Sequence, residues 1–199
     1  MLVGCIITYN DMPLIKECVE SLNVDRLIVV DGRYKDFPGD NPYSTDGTLE
    51  YLYSKGAEVI NAANLAEVDK RNIYLKDLKD GDTVINLDAD EVLKGKFYIP
   101  SADFGIIDLI DGHSRHRQVR GSRVFKYREG MEYKLVHFTL YWQDRQVNNL
   151  KKVVNTQFSS EPLKGCYILH NWHKRSQLRR HYKSLYYKKL RMTEAGYPR

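Results

Sequence analysis

The chain has 199 residues, of which 42% are hydrophobic and 29% charged; that is enough apolar material for an ordinary core and too much for a disordered segment. No apolar run approaches the roughly 18 residues a membrane-crossing helix needs, and the opening MLVGCIITYN lacks a basic leader and a small-residue cleavage site, so it reads as a first strand. Charge is unevenly divided: residues 1–111 carry 11 Lys/Arg against 21 Asp/Glu, and residues 112–199 carry 20 against 5, which points to different partners for the two halves.

Residues 2–8 (LVGCIIT) are continuously apolar, as in a strand covered on both faces. Asp11 is placed to cap a helix in which Leu14, Ile15, Cys18, Val19 and Leu22 recur at helical spacing. Residues 26–31 (RLIVVD) form a second buried strand, and 33–43 (RYKDFPGDNPY) a loop rich in Gly, Pro and Asp, the best candidate for mobility. Thr45 caps a helix through Ser54, residues 57–60 give a third strand, 67–78 a charged amphipathic helix, and 83–87 a fourth strand. Farther on, 104–110 reads as a strand. Residues 115–142 alternate as shorter mixed or antiparallel strands do, and 167–169 look like a last buried strand. The tail, 176–192, is helical, with Leu178, Tyr182, Leu185, Tyr186 and Leu190 on one side. Cys5, Cys18 and Cys166 are odd in number and widely spaced, which fits reduced thiols in a cytoplasmic protein.

Strands alternating with helices of about ten residues imply right-handed βαβ units. The expected fold is a single α/β domain over 1–199. Its central sheet is mostly parallel with helices on both faces, its second half mixed or antiparallel, and its last element a helix. Ligands in such sheets bind beyond the carboxyl ends of the strands. Three polar clusters fall there: Thr8-Tyr9-Asn10, Asp31, and Asp88-Ala89-Asp90. Close carboxylates raise one another's pKa unless cations offset them, and oxygen ligands of this kind suit Mg²⁺ or Mn²⁺. A D-x-D by itself is also what a capped helix start spells.

ITYN at 7–10, VVDG at 29–32, STDGT at 44–48, DKRN at 69–72 and LDADE at 87–91 follow the order seen in family-2-like glycosyltransferases of the GT-A fold, which residues 2–93 resemble. The resemblance implies a metal-dependent transfer of a sugar from a nucleoside-diphosphate sugar, with a UDP-sugar first, and makes 1–93 the nucleotide-sugar half and 94–199 the acceptor half. By position, Thr8, Tyr9 and Asn10 would line the nucleotide pocket and Asp31 would contact base or ribose. Lys70 and Arg71 would approach the diphosphate, their alternative being a solvated helix face. Asn72 would position that helix. Asp90 would ligate the metal, and Asp88 would reach metal, metal-bound water or ribose, while Glu91 may only open the next turn. The insertion at 33–43 departs from the family and leaves Asp46 as a ligand-side residue or a simple cap.

The segment LKGCYILHNWHKRS (163–176) resembles an element of small lipopolysaccharide-type glucosyltransferases, which implies His170, and less strongly His173, as a further metal ligand. RVFK at 123–126 and LVHF at 135–138 resemble the same subgroup, except that Phe138 stands where it has a glutamate. Candidates for the missing base are His137, Glu132 and Asp111; a retaining route without one stays open. The basic second half, with Arg115, Arg117, Arg120, Arg123, Lys126 and Arg128 and a cationic tail, suits an anionic acceptor. A saccharide or lipopolysaccharide-like molecule ranks first, a hydroxylated base in DNA second, and peripheral contact with a membrane surface is compatible with both. Two other classes compete: a sugar nucleotidyltransferase, and a non-catalytic nucleic-acid-binding module on a degenerate transferase fold.

Overall fold

The computed structural model describes residues 1–134, 139–147 and 158–194. In chain order these form β1 (Leu2–Thr8), α1 (Leu14–Glu20), β2 (Arg26–Asp31), α2 (Thr48–Ser54), β3 (Glu58–Asn61), α3 (Glu67–Leu75), β4 (Thr83–Asp88) and β5 (Glu91–Gly95). They continue with β6 (Phe104–Asp111), β7 (Arg117–Lys126), β8 (Glu132–Lys134), β9 (Thr139–Trp142), β10 (Arg145–Gln146), β11 (Ser160–His170) and α4 (Gln177–Glu194), with a single 3₁₀ turn at Trp172–Lys174.

The main sheet runs β3-β2-β1-β4-β7-β6-β11-β5, and β10-β9-β8 form a small antiparallel sheet. From β3 to β4 all pairs are parallel. β7 joins antiparallel to β4 and β6, β11 lies parallel to β6, and β5 closes the far edge antiparallel to β11. The result is an α/β arrangement with a mixed sheet and flanking helices.

Alternation along β1 explains the two-sided core. Ile6 packs with Ile15, Cys18, Val29, Leu52 and Ile85 on the face covered by α1 and α2. Cys5 and Ile7 pack with Val30, Tyr74, Leu75 and Tyr133 on the face covered by α3 and β8. Each fully buried side chain of this size contributes about 1.5–3 kcal/mol of transfer free energy. All three cysteines are buried and unpaired. No described helix is long and apolar enough to cross a membrane.

Several boundaries differ from expectation. α1 begins after Pro13 rather than on an Asp11 side-chain cap, because Asp11 Oδ2 already accepts from Thr8 Oγ1 (3.0 Å) and Tyr9 N (3.1 Å). Glu91 does not open a turn but starts β5, buried. On the side of α4 expected to be apolar, Leu178 and Leu185 are exposed and Tyr182 packs on Phe37, whereas Arg179 is buried. The 33–43 segment is a wall rather than a free loop, since Tyr9 Oη donates to Asn41 O (2.7 Å), Lys35 N donates to Leu65 O (2.9 Å), and Phe37 packs edge-on against Tyr9 and Tyr182.

Candidate functional site

Parallel register aligns the strand ends. Thr8 pairs with Asp31, Ile7 with Asp88, and His170 with both Glu91 and Asp111. The carboxyl edge of the sheet therefore gathers Asp31, Asp88, Glu91, Asp111 and His170 along one line.

At the β1 end the chain turns through Asn10 in the left-handed region (φ 49°), a conformation asparagine tolerates better than most residues. Its amide donates to Ser44 Oγ (2.7 Å) and its Oδ1 accepts from Thr45 N (2.8 Å). Asp31, fully buried, accepts from Ser44 N (3.0 Å) and Ser44 Oγ (2.5 Å). Burial pushes its carboxyl up, partly offset by the two Ser44 donors. STDGT is thus fixed to the first two strands by a serine, and Asp46 is a local organiser: it accepts from Met12 N (2.9 Å) and Thr48 N (3.2 Å).

Lys70 and Arg71 are not on a solvated face; they are 0% and 1% exposed. Lys70 Nζ donates to Gly32 O and lies 4.3 Å from the Tyr34 ring centroid. Burial lowers its pKa to about 7, against the opposing field of Asp31. Gly32 has to be glycine: its φ is 144°, and a Cβ would stand 2.6 Å from Ala62 O. Arg71 bridges Glu67 (3.0 Å) and Asp88 Oδ1 (2.5 Å). Asn72 holds α3 to β8 through Tyr133, donating to its carbonyl and accepting from its amide.

Each acid of LDADE has a cation. Asp88 Oδ2 lies 3.5 Å from Arg123, whose guanidinium also meets Glu91 Oε1 and donates to Asn86 Oδ1 (3.0 Å). Glu91 Oε2 accepts from Asp88 N (2.8 Å), which closes the turn between β4 and β5. Asp90 takes a two-pronged hydrogen bond from Arg175, Nε to Oδ2 at 2.5 Å and Nη2 to Oδ1 at 2.8 Å, and His170 Nε2 stands 3.4 Å from Oδ2. Burial raises the Asp90 carboxyl, but Arg175 and His170 more than reverse this and hold it well below the usual range.

This arrangement does not fit a divalent ion at Asp88, Asp90 and His170. Both oxygens of Asp90 and both of Asp88 already face guanidinium groups, so a bound cation would sit among like charges. Among the described residues no group of three or more His, Cys, Asp or Glu is arranged to hold a metal. The sequence directed attention to the acids and missed their partners. Arg123 does not belong to an exposed acceptor face: it is buried behind the D-x-D. Arg175 and Arg179 were counted with the cationic tail. The four-residue spacing of Arg179 and Lys183 was the available signal, because positions i and i+4 share a helical face; Arg175 precedes α4 in extended backbone.

Of the expected bases, His137 lies outside the described residues. Glu132 is exposed on β8 and paired with Lys134 (2.7 Å), in the small sheet rather than at the strand ends. Asp111 does lie at the strand ends, but its carboxylate accepts from His113 N (2.9 Å), Ser114 N (2.6 Å) and Trp172 Nε1 (2.5 Å). Burial pushes its pKa up, these donors outweigh it, and the result is about 2. His173 packs beside His113, with ring centroids 5.7 Å apart.

No protein-family model matches the chain, and no curated protein matches it. Among solved structures it is similar to S. aureus TarS, with 20% identity over 58% of this chain and 22% of that one, at a TM-score of 0.44. Two structures of S. aureus TarS 1-349, one of them in complex with UDP-GlcNAc, show 19% identity over 58% of this chain and 37% and 36% of theirs, at TM-scores of 0.40. The chain thus spans well under half the length of these structures. Likenesses of this order concern the course of the chain and give no residue a role.

Proposed function

We propose that the chain is a glycosyltransferase of GT-A type that moves a sugar from a nucleoside-diphosphate sugar, with a UDP-sugar first, to an anionic acceptor. The observation that supports it is the placement of Asp31 and of Asp88 and Asp90 at the carboxyl ends of the strands on either side of β1, with Lys70 and Arg71 buried on α3. Crevices in that position take up nucleotides in open α/β sheets. The motifs that deliver these residues are the ones resembling family-2-like glycosyltransferases.

In this reading Thr8, Tyr9 and Asn10 form the floor of the nucleotide pocket. Asp31 keeps acceptor capacity beyond its two Ser44 bonds, since a carboxylate offers about four lone-pair sites, and uses it on the base or ribose. The 33–43 wall closes the same side. Acceptor selection falls to the second half, where Arg115, Arg117, Arg180 and Lys188 are exposed and favour an anionic partner. Saccharide or lipopolysaccharide-like acceptors come first and a hydroxylated base in DNA second.

Nucleotide release from a panel of nucleoside-diphosphate sugars tests this. UDP release that is saturable and rises when an anionic glycan or hydroxymethylated DNA is added is the expected outcome. An Asp31→Ala variant should lose at least about tenfold in donor affinity, the weight of one charge-assisted hydrogen bond. No release from any donor, with or without acceptor, sinks the proposal.

A further inference from the structure

The face that α4 turns toward the strand ends is cationic. Arg175, Arg179 and Lys183 line a cavity together with Tyr34, Asp88 and Tyr182. Arg175 is committed to Asp90. Arg179 is different. It is only 7% exposed, its guanidinium stacks over Tyr34 (4.5 Å) and Phe37 (5.1 Å), and its Nη2 stands 3.6 Å from Asp11 Oδ2, beyond hydrogen-bond range. Its Nη1 is buried without a hydrogen-bond partner among the described residues. Leaving a charged donor unsatisfied in such a place is costly, and planar guanidinium groups recognise phosphate oxygens through paired N–H bonds.

The acids around the cavity are shared among several cations, Lys183 lying in the field of Glu67, Asp88 and Asp90. Glu67 and Asp88 line it, but both are engaged by Arg71, and Asp88 also faces Arg123. Asp11 Oδ2 accepts from Thr8 and Tyr9 and forms an ion pair with Arg179 Nη2, which leaves Arg179 Nη1 still without a hydrogen bond among the described residues.

We infer that Arg179 and Lys183 on α4, together with Arg175 just before it, form a metal-independent diphosphate site: Arg175 neutralises Asp90 where a divalent ion would otherwise be needed, and Arg179 and Lys183 receive the phosphate oxygens. The natural ligand named here, the donor's diphosphate, rests on the function proposed above. The cavity's volume is about 30 Å³, too small for a diphosphate, so its entry requires the half-buried Tyr182 and Lys183 side chains to move outward, Tyr182 giving up its bond to Lys35 O. That movement stays local to the exposed side of α4, because Arg175 keeps the helix anchored to Asp90.

Calorimetric titration with inorganic pyrophosphate and with UDP, each in excess EDTA and again with Mn²⁺, tests this on the wild-type chain and on Arg179→Ala and Lys183→Ala. Circular dichroism verifies that each variant is folded. Lys183, the more exposed of the two, gives the readout if loss of Arg179 unfolds the chain. Both ligands are expected to bind in EDTA, with Mn²⁺ changing affinity little, and each variant should weaken binding about tenfold or more. Binding that appears only with Mn²⁺ and ignores both substitutions overturns the inference and leaves the donor reading intact. Pyrophosphate binding without UDP binding keeps the anion site and removes the donor reading. Absence of pyrophosphate binding under both conditions overturns the site.

Discussion

Arg175→Ala is expected to lower the unfolding free energy by about 3–5 kcal/mol, the usual consequence of leaving one member of a buried ion pair alone. The pair is enclosed: Arg175 and Asp90 are 8% and 1% exposed, and the two bonds at 2.5 and 2.8 Å match fork to carboxylate. After truncation Asp90 keeps His170, at 3.4 Å, and the more distant field of Lys183. Arg175→Lys should recover part of the loss, because an ammonium restores charge but not the paired geometry. The sign of the pH dependence follows from the direction of the Asp90 shift. A carboxyl held below its unfolded value stabilises the fold above about pH 3.9 and loses that contribution as pH falls toward its folded pKa. In the variant the lone Asp90 can protonate near pH 4 and relieve its own penalty. Urea denaturation should therefore show a smaller difference from wild type at pH 4 than at pH 7. A difference below about 1 kcal/mol at both values, the range of an exposed pair, would contradict the buried pairing.

Lys70→Met should act in the opposite direction. The ammonium is fully buried on α3, donates to the Gly32 carbonyl and sits over the Tyr34 ring, and burial, outweighing the field of Asp31, brings its pKa from 10.5 to about 7. Between those values the unfolded chain holds a proton that the folded chain has released, so stability rises with pH across the window. The penalty is complete below pH 7 and gone above about pH 10.5, near the unperturbed lysine value. Methionine of similar length carries no such charge. The variant should be more stable than wild type at pH 6 by a few kcal/mol, with the advantage fading toward pH 10, as read by denaturation at several pH values. A destabilised variant with a pH-independent difference would show that the Gly32 hydrogen bond outweighs the charge. Retaining a destabilising lysine at a strand-end crevice is the pattern expected of a functional group, and the Met variant should also bind UDP more weakly.

The parallel half of the fold was readable because its signals are local. The apolar runs at 2–8, 26–31 and 83–87 each reappear as a strand, with ends within one residue of expectation. What sequence spacing could not convey was pairing over distance. Arg123 lies 32 residues from Glu91 and Arg175 85 residues from Asp90, so nothing near the acids announces their counter-ions. α4 misled for a related reason. Its leucines read as one apolar side, whereas Arg179 and Lys183 face the acidic strand ends, with Arg175 just before the helix, and Leu178 and Leu185 are left in solvent. β5 was obscured by its own motif, because Glu91 reads as the opening of a turn while it is in fact tied to both Asp88 N and Arg123. The insertion at 33–43 has the composition of a mobile loop, yet its aromatic residues Tyr34 and Phe37 give Arg179 its stacking surface.

The central claim is that a nucleotide occupies the crevice at the strand ends, and hydrogen–deuterium exchange with and without UDP locates it most directly. Slower exchange is expected in peptides covering residues 8–11, 31–46 and 88–91 on addition of UDP, since bound nucleotide stabilises the local structure it contacts. Unchanged exchange in all three segments at saturating UDP, or protection confined to the second half of the chain, would contradict the account.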